Sequence, residues 1–425
     1  MTEQTRLRVA ALIDLPRSAQ SGGHVKCWER LAHAAARSDL PLDLTVYFSG
    51  PESLEILSPH VRIRQLPPIF TTANLKFLPY IPDHTDLAKE HPRLARELES
   101  MDVLHTTDGF FAFARTAEKL SRRYGIPLVT SFHTDTPSYA RIFTRQAIEG
   151  MFGKSRFAHF LTDTLRLPER QERKMIRRLK KHVKACRAAL ATRKEDIDLA
   201  AEILGAENVS VLRLGVDRQN FGPHRADRAG IEKTYRIPQG SIVGLFVGRL
   251  DVGKNIYTLI EAAENLIRRD LPFHLIAAGI GPAAEDIQTR LGDHASVPGF
   301  VQSDELARLY ASVDLLTLCS EVEIRSMACV EALASGCPVL VSQKSGIAEL
   351  FHHTSAMRTV ESGVPAWEEA LRSFMTNPVG RDEMRVTARL YGEEHLASWQ
   401  DVLAADLFAT WKKAATLPQE KDEKL

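Results

Sequence analysis

The chain has 425 residues, which is too long for one ordinary hydrophobic core and predicts two domains. Its hydrophobic content of 44% and charged content of 26% are typical of a globular protein, and a net charge of +1 gives no general attraction to nucleic acid. The five cysteines are odd in number and show no CxxC spacing, which excludes a disulfide framework and a cysteine zinc site. The first residues lack the apolar core of a signal peptide, and no apolar run is long enough to span a bilayer, so we expect a cytoplasmic protein.

A pair of glycines ends the loop after the first predicted strand. Residues 7–15 form an apolar run typical of a buried strand, and residues 24–36 have the apolar spacing of a helix. Between them, residues 18–23 form a small polar loop that ends in Gly22 and Gly23. Glycines before a helix N-terminus let backbone N–H groups approach an anion closely. The spacing is not G-x-G-x-x-G, so it does not indicate a nicotinamide dinucleotide site.

A proline-rich apolar segment follows the strands predicted at residues 42–48 and 61–66. Residues 67–86 combine prolines, which prevent a regular helix, with aromatic residues that include Phe77 and Tyr80. Such an insertion fits contact with an apolar acceptor or with a membrane surface. A loop that packs on its own domain fits the pattern slightly better, and both interpretations stay open.

A histidine lies where the strand predicted at residues 127–131 ends. The sequence S-F-H-T-D-T-P-S-Y places His133 and Asp135 just after the strand, and the ligands of open α/β sheets bind at that edge. No G-x-S-x-G motif accompanies the histidine, so a serine hydrolase is not indicated. A His-x-Asp pair that only satisfies a hydrogen bond is the alternative, but the position at the strand end favours contact between His133 and a ligand.

A basic amphipathic helix is predicted at residues 166–187. The segment contains two acidic residues among many lysines and arginines, and it carries an apolar stripe at helical spacing. Such a helix is typical of proteins that bind a membrane surface or another acidic partner. A solvated helix packed on its stripe has the same pattern, so this alternative stays open. RNA is disfavoured, because no RNA-binding signature accompanies the segment.

The second half of the chain restarts the alternation of strands and helices. A loop with Arg249 and Lys254 lies between a strand predicted at residues 242–247 and a helix predicted at residues 257–269. A guanidinium, an ammonium and a helix N-terminus together suit a diphosphate. Two ordinary surface cations are the alternative. The loop is not a Walker A sequence, so ATP hydrolysis is not indicated.

Two glutamates mark a strand–loop–helix unit further along the chain. A strand at residues 313–318 and a helix at residues 326–334 flank a polar loop. Glu323 lies in the loop and Glu331 in the helix, in the spacing E-x7-E. Because the loop lies at the carboxyl edge of the sheet, both carboxylates can face one ligand cleft. The alternative is a pair of surface glutamates near a helix start, where the helix dipole favours them.

The unit that contains the two glutamates resembles the retaining glycosyltransferases of family 4, which have the GT-B fold. That family usually reads P-S-x-x-E-G-F-G-x-x-x-x-E-A-x-A-x-G-x-P-V, and E-A-L-A-S-G-C-P-V at residues 331–339 matches its second half. Cys319, Ile324 and Ser326 depart from the pattern, since they replace a proline and two glycines. The family patterns G-R-L-x-x-x-K and G-V-D-x-x-x-F-x-P are complete here, and H-T-D-x-P-x-Y is similar to the lipid-sugar and mannosyl transferases.

The resemblance implies an α/β protein of the GT-B fold, with two doubly wound Rossmann-like domains facing across a cleft. The G-V-D motif implies a boundary between an acceptor-side domain at residues 1–214 and a nucleotide-sugar domain at residues 215–394. The tail is predicted helical over residues 382–414, and a helix at about residues 395–416 is expected to return to the first domain.

The resemblance also implies roles for single residues. The implied catalytic residues are Glu323, Lys254, Arg249 and His133. Lys254 and Arg249 would bind the phosphates and stabilise the leaving diphosphate, Glu331 would accept hydrogen bonds from the ribose, and Glu323 would lie beside the sugar. The other implied donor-side residues are Gly22, Gly23, Gly279, Gly281, Gly299, Phe300, Val301, Ile324, Arg325 and Ser326. The implied acceptor-side residues are His133, Asp135, Phe77 and Tyr80. No metal or cofactor is expected, because the two cations neutralise the diphosphate.

The implied reaction is retaining transfer of a sugar from a nucleotide diphosphate sugar to a hydroxyl acceptor. A UDP-sugar is favoured over GDP-mannose, and the favoured acceptor is a membrane lipid such as a diacylglycerol or a lipid-linked glycan. We expect a cytoplasmic enzyme with peripheral contact to anionic lipid on the inner face of the plasma membrane, and no nucleic acid partner. A GT-B nucleotide-sugar epimerase, a transferase for a soluble glycan or metabolite, and a noncatalytic scaffold stay as alternatives.

Overall fold

The chain divides into two units, and the computed structural model describes residues 6–18, 21–71, 86–153 and 155–417. Unit 1 comprises Met1–Arg213 and Trp399–Leu425, and unit 2 comprises Leu214–Ser398. The division lies one residue before the boundary expected from the G-V-D motif. The chain returns to unit 1 at Trp399, a few residues later than expected.

Eight strands form the sheet of unit 1 within the described residues. They are β1 (Leu7–Pro16), β2 (Leu42–Ser49), β3 (Ser53–Ser58), β4 (Val61–Leu66), β5 (Val103–Thr106), β6 (Leu128–Ser131), β7 (Ala188–Ala191) and β8 (Val209–Val211). In the order β3-β4-β2-β1-β5-β6-β7-β8, every neighbouring pair is parallel except β3 and β4. The parallel strands are mostly buried apolar runs, whereas the edge strand β3 alternates in exposure, and the sequence pattern does not predict it.

The helices of unit 1 come from both ends of the chain. They are α1 (Gly23–Ala36), α2 (Pro92–Leu98), α3 (Ala112–Tyr124), α4 (Thr136–Phe152), α5 (Arg156–His159), α6 (Leu167–Lys184) and α7 (Lys194–Leu204). A π-helical turn, Phe160–Thr164, separates α5 from α6. The C-terminal segment adds two helices and a π-helical stretch, Val402–Phe408, to the same unit. Trp28 of α1 and Trp411 near the C-terminus are among the largest fully buried side chains.

The sheet of unit 2 has the strand order of a doubly wound nucleotide-binding domain. Its strands are β10 (Ile242–Val247), β11 (Phe273–Ala278), β12 (Ala295–Gly299), β13 (Leu315–Leu318), β14 (Val339–Ser342) and β15 (Met357–Val360). They are parallel in the order β12-β11-β10-β13-β14-β15, so the order reverses between β10 and β13. Two short strands, β9 (Gly215–Val216) and β16 (Ala397–Ser398), pair with each other at the ends of the unit.

The helices of unit 2 alternate with its strands. They are α8 (Arg228–Thr234), α9 (Ile256–Ile267), α10 (Ala284–Leu291), α11 (Ser303–Ser312), α12 (Met327–Ala334), α13 (Gly346–Leu350), α14 (Val364–Thr376) and α15 (Pro378–Glu394). The tail predicted as helical over residues 382–414 is helical with one interruption, because α15 ends at Glu394 and β16 follows. The chain then enters α16 (Trp399–Asp401) and ends in α17 (Ala409–Thr416), both in unit 1.

Candidate active site

The carboxyl ends of β10 and β13 form the topological switch point of unit 2. Open α/β sheets bind ligands at this position, because the chain leaves the two neighbouring strands in opposite directions. The loop after β10 spans residues 248–255, and the loop after β13 spans residues 319–326. Arg249 and Lys254 lie on the first loop and Glu323 lies on the second. The structure therefore brings three of the four predicted catalytic residues to one edge of one sheet.

The loop that carries Arg249 packs directly on the turn after β11. The backbone N–H of Leu250 donates to the carbonyl of Ile280 across 3.0 Å. A Cβ on Gly279 would lie 1.7 Å from the carbonyl oxygen of Gly248, so only glycine permits this approach. Gly279, predicted as a donor-side residue, thus fixes the backbone that presents Arg249.

Opposite charges meet across the two loops. The Lys254 ammonium forms an ion pair with the Glu323 carboxylate, and both side chains are 19% exposed. The Arg249 guanidinium lies 3.0 Å from the Asp251 carboxylate on its own loop and is more exposed. A partly exposed ion pair is held less firmly than a buried one, and an incoming anion can exchange with one partner. The site therefore holds two cations that an anionic ligand can recruit.

Hydrogen bonds to backbone carbonyls tie three neighbouring loops together at this edge. The Asn255 side-chain amide donates to the Cys319 carbonyl across 3.2 Å, and the Cys319 thiol donates to the Lys254 carbonyl across 3.4 Å. Burial raises the pKa of Cys319 to about 12, so the thiol keeps its proton for this contact. From the loop after β14, the Gly346 N–H donates to the Glu323 carbonyl across 2.9 Å. These contacts fix the backbones of the two residues in the ion pair.

The segment that departs from the family pattern forms the start of α12. Ile324 is buried, and the Ser326 hydroxyl caps the helix by accepting a hydrogen bond from the Cys329 N–H at 3.3 Å. The helix therefore begins one residue after Ser326, and the serine that replaces a glycine is its N-cap. Arg325 is half-buried, and Glu331 lies within the helix with only 5% of its surface exposed. Of the E-x7-E pair, Glu323 is thus the accessible carboxylate and Glu331 the buried one.

The remaining donor-side residues of unit 2 lie on the turns after β11 and β12. A Cβ on Gly281 would lie 2.4 Å from the carbonyl oxygen of Leu250, so Gly281 supports the same loop as Gly279. Gly299 has a φ of +74°, which favours glycine, and Phe300 and Val301 after it are half-buried. Phe300 and Val301 follow the edge strand β12, which lies two strands from β10 in the sheet.

Unit 1 brings two histidines together at its own sheet edge. Gly22 and Gly23 lie at the start of α1, and His24 follows them directly. The His24 ring stacks on the His133 ring, with centroids 4.3 Å apart and planes 3° apart, and Trp28 lies 6.1 Å from His133. The sequence reasoning missed His24, although its position next to the glycine pair was an available signal.

Asp135 is engaged within the protein. Its carboxylate caps α4 by accepting a hydrogen bond from the Ser138 N–H at 3.1 Å, and it lies 3.2 Å from the Arg193 guanidinium. These contacts fix the turn that follows His133. Phe77 and Tyr80, predicted on the acceptor side, lie outside the described residues.

A buried ion pair anchors the basic helix α6. The Glu118 carboxylate of α3 accepts hydrogen bonds from Arg178 at 2.6 Å, and the ring of His182 lies 2.6 Å from it. Burial alone would raise the pKa of Glu118, but the hydrogen bonds from His182 and Arg178 outweigh it and lower the pKa to about 2. None of the helices in the described residues is long and apolar enough to cross a membrane.

Family models match consecutive parts of the chain. The model of Glycosyltransferase Family 4 matches residues 21–220, and the model of glycosyl transferases group 1 matches residues 227–394. Together with the two doubly wound units, these matches define a glycosyltransferase of the GT-B fold. More particularly, the chain belongs to the family 4 glycosyltransferases, as the E-x7-E resemblance implied.

Known proteins support the same fold. The sulfoquinovosyl transferase SQD2 of Arabidopsis thaliana is 26% identical over 293 residues, which make up 68% of this chain and 49% of that protein, so the chain spans about half the length of this relative. Sucrose-phosphate synthase of Thermosynechococcus elongatus superposes with a TM-score of 0.71 at 17% identity, over 96% of this chain and 99% of that one. HepE of Anabaena, solved with UDP and glucose, superposes with a TM-score of 0.66 at 14% identity, over 97% of this chain and 100% of that one.

Proposed function

We propose that the protein is a retaining glycosyltransferase that uses a nucleotide diphosphate sugar, with a UDP-sugar as the favoured donor. The observation that carries the proposal is that Lys254, Arg249 and Glu323 all lie on the two loops at the switch point of unit 2. Cations fixed on a loop before a helix stabilise the charge that develops on a departing diphosphate. The solved complex of HepE with UDP and glucose supports the choice of uridine as the base of the donor.

The proposed transfer proceeds on one face of the sugar. The bond from the anomeric carbon to the diphosphate breaks, the acceptor oxygen bonds to that carbon on the same face, and the acceptor proton passes to the diphosphate. Lys254 and Arg249 stabilise the leaving oxygens. Because Lys254 already engages the Glu323 carboxylate, we assign Glu323 to sugar positioning, with no covalent intermediate on it.

The positive charge of the site takes the place of a divalent cation in this proposal. Arg249, Lys254 and the N-terminus of α9 all come from the chain itself. We therefore expect turnover to be the same in EDTA and in added Mg²⁺ or Mn²⁺. A rate that falls more than tenfold in EDTA and returns with Mn²⁺ would contradict this assignment.

The direct test is release of nucleotide diphosphate by the purified protein. A panel of UDP- and GDP-sugars is supplied alone, with lipid extract, and with soluble glycans, and both the free nucleotide and the glycosylated product are measured. A product whose new linkage keeps the anomeric configuration of the donor supports retaining transfer. An inverted linkage, an isomerised nucleotide sugar without acceptor, or no turnover with any donor contradicts it.

We further propose that the acceptor is held at an anionic membrane. The exposed face of α6 carries cations along its whole length, at Arg170, Arg173, Lys174, Arg177, Lys180, Lys181 and Lys184. Its two acidic residues face α4, where Glu169 lies 3.7 Å from Arg145 and Glu172 lies 3.6 Å from Arg141. The outer face is therefore purely basic, and each such charge contributes about 1 kcal/mol near an anionic lipid surface.

Exposed apolar side chains lie on the elements that precede this basic helix. Met151, Phe152, Phe157 and Phe160 are each more than two-fifths exposed, and the rings of Phe152 and Phe157 contact each other at 5.0 Å. Met151 and Phe152 end α4, Phe157 lies in α5, and Phe160 begins the π-helical turn that leads toward α6. Exposed aromatic residues next to a basic stripe match the chemistry of a bilayer interface, with the rings in the headgroup layer and the cations against phosphate.

Vesicle sedimentation tests the membrane proposal. Binding should require anionic lipid and fade at high salt, because exposed charges are screened within about 8 Å at physiological ionic strength. Replacing Arg170, Lys174 and Lys181 by glutamine should abolish it, and replacing Phe157 and Phe160 by serine should weaken it. The matched control replaces the exposed cations Lys233, Arg268 and Arg269 of unit 2 and should bind normally. Equal binding of neutral and anionic vesicles would overturn the proposal.

A further inference from the structure

A chain of buried hydrogen bonds ends at His133. The Trp411 indole N–H of α17 donates to Nδ1 of His105 across 2.8 Å. Nε2 of His105 lies 2.8 Å from the Ser131 hydroxyl, which in turn lies 2.8 Å from Nε2 of His133. All four side chains are buried, and Trp411 and His105 are fully so.

The chemistry of the four groups decides which group donates and which accepts in each of these hydrogen bonds. An indole N–H can only donate, so Nδ1 of His105 must be the acceptor. Burial lowers the pKa of His105 to about 3, so its ring is neutral at pH 7 and its single proton lies on Nε2. That proton is donated to the Ser131 oxygen. The Ser131 hydrogen then points to Nε2 of His133.

The buried serine decides which nitrogen of His133 carries the proton. If Nε2 of His133 bore a hydrogen, it and the His105 N–H would both point at the Ser131 oxygen. The Ser131 hydrogen would then lose its acceptor, and a buried hydroxyl without one is costly. Every donor and acceptor in the series has a partner only when Nε2 of His133 accepts and its proton lies on Nδ1.

We propose that Trp411, His105 and Ser131 are positioning residues that set the tautomer of His133 from the C-terminal helix of the chain. The proposal rests on the proposed function and on the catalytic role that the family resemblance implies for His133, because only then does the tautomer affect the reaction. In that role His133 would present an N–H, and not a lone pair, on the nitrogen away from Ser131. A protein truncated after residue 398 would lack the indole that orients these hydrogen bonds.

The structure offers a matched control for the indole. Trp28 and Trp411 are both fully buried, and both rings contact His105, with centroids 5.1 and 5.7 Å away. Among the described residues, however, the Trp28 indole nitrogen has no hydrogen-bond partner. Trp411→Phe and Trp28→Phe therefore remove the same volume from one aromatic cluster, but only the first removes the donor.

The test is nitrogen NMR on the full chain labelled with ¹⁵N-histidine, together with steady-state kinetics. The His105 and His133 signals are assigned from the His105→Asn and His133→Asn variants. In the native protein, His105 should be the Nε2–H tautomer and His133 the Nδ1–H tautomer. Trp411→Phe and Ser131→Ala should each change the ratio of the two His133 tautomers by about fivefold in favour of Nε2–H. A change of that size is expected when one ordinary hydrogen bond is lost. Both should lower kcat by a similar factor with little change in the donor KM.

The two controls separate positioning from packing. Ser131→Thr keeps a hydroxyl and should preserve the native tautomer ratio of His133, and Trp28→Phe should leave that ratio unchanged despite its loss of packing. An Nε2–H tautomer of His133 in the native protein would overturn the proposal, as would a Trp411→Phe spectrum identical to that of the native protein. If the native protein transfers no sugar, the proposed function fails, but the spectra still decide whether the chain of hydrogen bonds exists.

Discussion

The two candidate sites differ in what holds their functional side chains. In unit 2, Lys254 and Glu323 form an ion pair that is partly exposed, and three loops of one sheet edge fix their backbones. In unit 1, His133 is buried, and neutral groups from β5, β6 and α17 hold it. The first arrangement can exchange partners with an anionic ligand. The second orients one ring and leaves it little freedom.

The largest expected effect comes from removing the cations of unit 2. Lys254→Ala and Arg249→Ala should each lower kcat by about 10²–10³, the usual loss when one preorganised donor is removed from developing charge. The fold should persist, because both side chains are partly exposed. Lys233→Ala, an exposed cation on α8, is the matched control and should turn over normally. Near-native turnover in both site variants would show that the diphosphate binds elsewhere.

The same comparison explains how much the sequence could predict. Arg249, Lys254, Glu323 and Glu331 lie in short motifs beside buried apolar strands, and these motifs carried the family resemblance that implied the fold and the residues. The partner of His105 is Trp411, which lies 306 residues away, and no local pattern encodes that contact. The edge strand β3 escaped prediction for a related reason, since its exposed alternation lacks the apolar run of its neighbours.

A second prediction concerns the buried carboxylate of α12. Glu331→Gln keeps the shape of the side chain but removes its charge, so UDP affinity should fall by about 10- to 100-fold, as expected for a charged hydrogen bond. Because Glu331 is 5% exposed, the variant is checked for its native unfolding temperature before titration. Isothermal titration with UDP and with inorganic diphosphate gives the measurement. A loss for diphosphate as large as that for UDP would contradict a contact to the ribose.

A third prediction tests whether close packing in unit 2 fixes the Arg249 loop. Gly279→Ala places a Cβ against the Gly248 carbonyl and should destabilise the protein by about 1–3 kcal/mol, the usual cost of overpacking. Turnover should fall as well, since the Arg249 backbone must shift. Gly22→Ala in unit 1 is the comparison, because Gly22 has a φ of −69° and no atom of the described residues lies within 4 Å of the added Cβ. Denaturant unfolding of both variants should show the larger loss for Gly279→Ala, and equal losses would refute the packing role.

The smallest expected effect is a gain in UDP affinity, and it tests the ion pair between Lys254 and Glu323. Glu323→Gln removes the charge that holds Lys254 when no donor is bound, so the ammonium no longer has to leave a partner to meet a phosphate. UDP affinity should therefore rise about two- to fivefold, in line with a partly exposed ion pair worth up to about 1 kcal/mol. Sugar transfer should nevertheless fall, because Glu323 positions the sugar. Glu321→Gln is the control, since its carboxylate lies 3.3 Å from Lys344 on the next loop and its loss should leave UDP affinity unchanged. If Glu323→Gln instead weakens UDP binding as much as Glu331→Gln does, the two carboxylates share one role and the ion pair is part of the nucleotide site.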